Sequence, residues 1–214
     1  MYQSILQIFP NSNRDFFRFV AEREHRINEI RLRCERPLLV LEGHKEWFLN
    51  KDGIYTDKLA EATLLSKESL ERILQHICQY SLYAFEEEIR QGFITVAGGH
   101  RIGLVGQVVL ENNKSIRTIK NICGLNIRVA HQIKGVGQCV LPYLYENGSL
   151  KSTLIVSPPG CGKTTLLRDL IRSISDGNEY ARGMTVGLVD ERSEIAGSYM
   201  GQPQNDVGIR TDVL

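Results

Sequence analysis

The sequence predicts an α/β chain in two parts, an α+β region over residues 1–135 and an α/β region over residues 136–214. Three observations carry this reading. Apolar residues at helical spacing give way after Phe93 to runs of strand character, so the first part mixes helices with antiparallel strands. Lys134-Gly135-Val136-Gly137 interrupts both patterns and reads as a hinge. Beyond it, Thr153–Leu170 runs TLIVSPPGCGKTTLLRDL: an apolar stretch, a Pro/Gly turn, then a helical pattern.

Length and composition bound the problem. A chain of 214 residues suffices for one large or two small domains. With 42% hydrophobic and 24% charged residues it can bury a sizeable core, which argues against disorder. Its 26 basic and 25 acidic residues give a net charge of +1, so no nucleic-acid footprint covers the whole chain. No apolar run approaches the ~20 residues of a membrane span. Met1-Tyr2-Gln3-Ser4-Ile5 does not open a secretory signal, and the cytoplasm is the expected compartment. Cys34, Cys78, Cys123, Cys139 and Cys161 are scattered without a C-x-x-C pair, so neither a zinc site nor a disulfide framework follows. Four of them are expected to be small core residues, and Cys161 to be accessible.

In order, Asn11-Ser12-Asn13 offers caps for a helix bearing Phe16, Phe17, Phe19 and Val20. Ile30 and Leu32 alternate with Arg31 and Arg33, as in a half-buried strand. Arg31, Arg33 and Arg36 read as a solvated strand face. Leu38–Leu41 and Trp47–Leu49 are two more strands around Gly43-His44, and Asp52-Gly53 is a turn. Ser66 caps a helix carrying Leu70, Ile73, Leu74 and Ile77. A second helix covers Ala84–Arg90 and stops at Gly92; its Glu86-Glu87-Glu88 run reads as a solvated face. Phe93–Val96 and His100–Leu110 form a hairpin about Gly98-Gly99, and Asn112-Asn113 makes the next turn. Ile116 and Ile119 mark one further strand and Leu125–Val129 another. Gly103 and Gly106 suggest a bulge or a close backbone approach. His100 receives no catalytic role. A short helix over Cys139–Tyr145 and a turn at Asn147-Gly148-Ser149 lead into the second part.

There the chemistry concentrates. Leu154-Ile155-Val156 suits a buried parallel strand. Ser157, Pro158, Pro159, Gly160, Cys161 and Gly162 form a tight loop, and Lys163, Thr164 and Thr165 open the helix after it. Strand, glycine loop, Lys-Thr and helix are the context of a phosphate-binding loop, here with Ser157 where the full motif has its first glycine. Glycines let backbone N–H groups turn inward, and the helix offers its free N–H groups and positive dipole end. Lys163 can reach the outer phosphates of ATP, and the Thr164 hydroxyl can ligate Mg²⁺. Met184–Val189 reads as a second buried strand, ending in Asp190-Glu191-Arg192-Ser193-Glu194. Carboxylates there stand where α/β sheets bind ligands. One, with Asp190 the first choice, can hold Mg²⁺ through water; another, Glu191 or Glu194, can orient the attacking water.

With these segments read, SPPGCGKTTLLRDL, VGLVDERSEIAG, INEIRLRCERPL, SLYAFEEEIRQGFITVAGGHRIGLVGQVV and NIRVAHQIKGV together resemble the stage III sporulation protein AA family, over about residues 27–214. That family is similar to the traffic ATPases of type II and type IV secretion. The resemblance implies an N-terminal α+β domain followed by a RecA-like ATPase domain, assembled as a hexameric ring. It implies ATP and Mg²⁺ as cofactors, membrane-embedded sporulation channel proteins as partners, and a place in the mother-cell cytoplasm at the membrane. It also implies Asp190 and Glu191 as the "Asp box", with Glu191 ahead of Glu194 for positioning water. Arginines of the N-terminal strands, Arg101 and Arg128 with Arg117 behind them, are implied to reach the phosphates. The family continues with a Walker B strand and a His box, whereas this sequence stops at Leu214, so the motor domain reads as partial and its hydrolysis as inefficient. Two other readings stay open: a DNA-associated ATPase of helicase-loader type, and a non-catalytic docking module with a vestigial nucleotide site.

Overall fold

The structure is a computed structural model that describes residues 4–111 and 115–214. The expected turn at Asn112-Asn113 lies outside the described residues. The fold is mixed α/β with one large antiparallel sheet, and the chain divides into two compact units, Met1–Ala130 and His131–Leu214.

The first unit is built on seven strands: β1 (Glu29–Arg33), β2 (Leu39–Glu42), β3 (Lys45–Leu49), β4 (Tyr55–Thr56), β5 (Phe93–Thr95), β6 (Arg101–Glu111) and β7 (Ser115–Arg128). Their order is β4-β3-β2-β1-β7-β6-β5, with every neighbouring pair antiparallel. Strand alternation sorts the side chains: Ile30, Leu32, Ile102, Leu125 and Ile127 are fully buried. Helices α1 (Asn11–Glu22), α2 (Lys67–Ile77) and α3 (Glu86–Gln91) bury Phe17 and Val20, Leu70 and Ile73, and Ile89 in that same core.

Local chemistry fixes the helix ends. Ser66 caps α2 by accepting the Ser69 N–H at 3.2 Å. Gly92 ends α3 in the left-handed conformation at φ +84°. The start of α1 differs from expectation: Pro10 is its N-cap and Asn11–Asn13 form the first turn. Pro10 supplies extended backbone and its carbonyl accepts the Asn13 N–H at 2.8 Å, so no side-chain cap forms. The second helix also starts later, because Leu82–Phe85 is a 3-10 turn leading into α3.

Two strands were expected across 116–129, yet β7 is continuous. The irregularity lies within β7: between the pairs Val105–Gly124 and Gln107–Lys120, Asn121–Cys123 stand opposite the single Gly106, with Asn121 in the left-handed conformation at φ +49°. A Cβ on Gly106 would stand 2.7 Å from the Lys120 carbonyl oxygen. Gly103 sits in plain ladder register opposite Asn126. Of the four cysteines expected inside, Cys78 is buried and Cys34 half-buried, whereas Cys123 and Cys139 are exposed. Cys123 lies on an outward position of β7, and Cys139 in the turn before the next helix. Burial holds the Cys78 thiol up at about 11.

The second unit holds α4 (Leu141–Leu144), a hairpin of β8 (Tyr145–Glu146) and β9 (Ser149–Leu150), then α5 (Lys163–Asp176), β10 (Val186–Leu188) and β11 (Thr211–Val213). The last two strands are parallel. Two small cores support them, Ile171 with Leu188, Ala196 and Val207, and Leu170 with Leu141 and Leu144. The expected buried strand over 154–156 is absent: Leu154 is 86% and Val156 79% exposed. A parallel strand is buried only between ladder neighbours. Among the described residues β10 and β11 pair with each other and no strand pairs with 154–156. Of Met184–Val189 only Val186–Leu188 pairs, for the same reason. Among the described residues no helix is long and apolar enough to cross a membrane.

Candidate phosphate-binding site

The loop before α5 has the geometry its glycines suggest. Gly160 and Gly162 take φ +76° and +82°, and a Cβ on either would meet nothing within 4 Å, so glycine is required by conformation rather than by crowding. Gly162 is the N-cap of α5, and its carbonyl accepts the first intrahelical bond, from Leu166 N–H at 2.9 Å. The N–H groups of residues 163–165 therefore have no acceptor within the helix. They stand at its positive end, and no acidic side chain occupies the first turn to neutralise it.

Lys163 lies across this mouth. Its Nζ donates to the carbonyl oxygens of Ser157 at 2.8 Å and Pro158 at 2.9 Å. Ser157, in place of the motif's first glycine, thus serves through its backbone. Thr164 and Thr165 are half-buried in the first turn, and Pro158, Pro159 and Cys161 are exposed. Charge, N–H donors and a hydroxyl converge on one exposed loop, a donor set suited to a polyphosphate.

The acidic segment after β10 is a folded loop. Asp190 organises it: one carboxylate oxygen accepts the Glu194 N–H at 2.9 Å, the other those of Ile195 at 2.9 Å and Ala196 at 2.8 Å. The carboxylate expected to hold Mg²⁺ is thus committed to three backbone donors. Glu191 and Glu194 are exposed.

Two residues that sequence reasoning left unassigned anchor α5, Arg168 to this loop and Asp169 to the turn at Gly137. Arg168, 8% exposed, donates to the carbonyls of Ile195 at 2.6 Å, Glu194 at 2.7 Å and His131 at 3.1 Å. Burial lowers its pKa and the Asp190 charge opposes that. Asp169, 2% exposed, accepts the Gly137 N–H at 2.8 Å and pairs with Arg172 at 2.7 Å. Burial pushes its carboxyl up, but the N–H donors and Arg172 outweigh that and hold it below the usual carboxylate value. Arg168 is five positions after Lys163, or ~7–8 Å along the axis. The signal was available as an adjacent charged pair, Arg168-Asp169, beside Leu170 and Ile171 on a helix with an apolar face.

Arg101 and Arg128 are in the first unit, directly opposite each other on β6 and β7. The Arg101 guanidinium stacks over Phe93 at 4.1 Å, and Arg128 is exposed. Arg117 lies further along β7.

The family described as Sporulation stage III, protein AA matches residues 1–214. The stage III sporulation protein AA of Bacillus subtilis (strain 168) is 39% identical over 98% of this chain and 64% of its own length. The ycf45 protein of Cyanidium caldarium is 35% identical over 36% of this chain and 21% of its own. The X-ray structure of the Legionella pneumophila ATPase DotB superposes with a TM-score of 0.47 at 12% identity, covering 94% of this chain and 50% of that one. The chain thus spans about two thirds or less of these proteins.

Proposed function

The chain belongs to the Sporulation stage III, protein AA family, and on that premise we propose that it is the ATP-binding part of a secretion-ATPase-type motor serving sporulation. The observation that carries this reading is the start of α5, where free N–H groups, Lys163 and Thr164 meet at a glycine loop. The phosphates of ATP replace the Ser157 and Pro158 carbonyls as partners of Lys163. A charged acceptor forms the stronger bond, so the exchange favours binding. Backbone N–H groups of the loop and first turn hold the β-phosphate region.

Mg²⁺ would supply charge neutralisation for the bound phosphates. The Thr164 hydroxyl would be the group of this chain that holds it. Asp190 acts one step back, fixing the loop that carries Glu191 and Glu194. One of those exposed carboxylates orients the attacking water, Glu191 being the first candidate. Arg101 and Arg128 add contacts to the phosphates, since a planar guanidinium suits that geometry. The motor works as a hexameric ring, at the mother-cell face of a membrane-embedded sporulation channel.

Isothermal titration with MgATP tests this. The chain is expected to bind, and Lys163→Ala to bind roughly 30- to 150-fold more weakly, one charge-assisted contact of ~2–3 kcal/mol. Arg101→Ala and Arg128→Ala are expected to weaken binding less. Equal affinity in Lys163→Ala and the parent would refute the site.

A further inference from the structure

Strand register assembles an arginine face that no single stretch of sequence displays. On the side of the sheet opposite the buried Ile30 and Leu32, Arg31 stands across from Asn126 and Arg33 across from Gly124. Arg101 and Arg128 occupy the adjoining row beside Glu29. Gly103 presents no side chain on that side, and the Arg33 side chain lies over Gly124, its Cδ 2.7 Å from where a Cβ would stand. Arg31 is paired with Glu29 at 2.8 Å. Arg33 has no such ion pair among the described residues: its guanidinium donates to the Leu32 and Leu125 carbonyls and to Asn126 Oδ1 at 2.6 Å. Burial and the neighbouring Arg31 lower its pKa, and the Glu29 charge opposes them.

The helix layer on the other side of the unit carries the complementary chemistry. Gln79 and Tyr80 take left-handed backbone at φ 50° and 61°, turning the chain sharply before α3. Past that corner Tyr80 is 75% and Tyr83 92% exposed. A groove of about 480 Å³ adjoins them, lined by Tyr83, Glu86, Glu87, Arg90, Glu111 and Arg117. Arg90 is paired with Glu87, which leaves Glu86 and Glu111 against Arg117 and a small acidic excess on the rim.

We propose that the acidic, aromatic corner about Tyr83, Glu86 and Glu87 of one copy docks on the Arg31–Arg33 face of a second copy. Carboxylates meet guanidiniums, and tyrosine rings meet the arginine planes, the composition that anchors protein interfaces. The two surfaces differ and lie on opposite sides of one unit, so the contact is head-to-tail. Repeated, it closes a ring or extends a filament. The inference refines the ring proposed above and uses none of its nucleotide chemistry.

Sedimentation velocity of the whole chain without nucleotide is the test. The parent is expected to self-associate at ~10–100 µM, less so at high salt. Glu86→Lys/Glu87→Lys, Tyr83→Ser and Arg31→Glu are each expected to shift it to monomer. Arg33 is spared because its bonds to backbone support the sheet. Mixing Arg31→Glu with Glu86→Lys/Glu87→Lys restores one intact contact and should give heterodimers. A monomeric parent, variants that associate like the parent, or a mixture that stays monomeric overturns the proposal. MgATP titration of the same samples separates this failure from that of the phosphate site: loss of association with unchanged ATP affinity touches only the interface.

Discussion

Replacing Asp169 by Ala removes the carboxylate that joins α5 to the turn at Gly137. Its side chain is 1% exposed, so no water takes over its bonds. The Gly137 N–H, held at 2.8 Å, loses its acceptor, at a cost of ~1–3 kcal/mol for an unpaired buried donor. The bond to Arg172 contributes ~1 kcal/mol more, since that arginine is 21% exposed and rehydrates. The total of ~2–4 kcal/mol predicts a loss of roughly thirty-fold to several hundred-fold in amide protection of α5. Hydrogen exchange read by mass spectrometry on peptides from 131–214 measures it. Asp169→Asn keeps one acceptor and should lose less. The pH dependence has a definite sign. Asp169 is held below its unfolded value of ~3.9, so its stabilisation is present above that pH and is lost as pH falls through the lower folded value. The acid-induced loss of α5 protection should therefore be shallower in Asp169→Asn than in the parent. Parent-like protection in Asp169→Ala, or equal acid slopes, would refute the reasoning.

Two further outcomes follow from particular contacts. Gly106→Ala puts a Cβ 2.7 Å from the Lys120 carbonyl and 2.9 Å from Ile119 Cγ2, and overpacking of this kind costs ~1–3 kcal/mol. Urea unfolding followed by Trp47, the sole tryptophan, should show a lower midpoint, and an unchanged midpoint contradicts the close approach at Gly106. Cys161, Cys123 and Cys139 are exposed, so all three should alkylate, with buried Cys78 the slowest. MgATP should protect Cys161 alone; equal labelling with and without nucleotide counts against the loop.

Much of the first unit was legible because its determinants are local. Alternation of Ile30 and Leu32 with arginines marks β1, and Ser66 with the Leu70–Ile77 spacing marks α2. The glycine loop and the start of α5 were legible for the same reason: Gly160 and Gly162 are there for backbone conformation. What was not legible depends on neighbours. Leu154 and Val156 have the composition of a buried strand, but burial requires ladder partners that no local pattern encodes. Asp190 has the identity of a metal ligand, and only the fold of 190–196 reveals that three N–H groups occupy it. Arg168 and Asp169 look like solvated helix charges until their carbonyl and N–H partners are in place. The arginine face is likewise a product of register between β1, β7 and β6.

The central claim is that a polyphosphate binds at the start of α5, and amide NMR of the chain titrated with MgATP tests it at the residues concerned. The account predicts the largest shifts at Gly160, Cys161, Gly162, Lys163 and Thr164, removed by Lys163→Ala. Shifts centred elsewhere, such as the groove at Asp176–Gly183 and Arg210 at the far end of α5, or no shifts at saturating nucleotide, would contradict it.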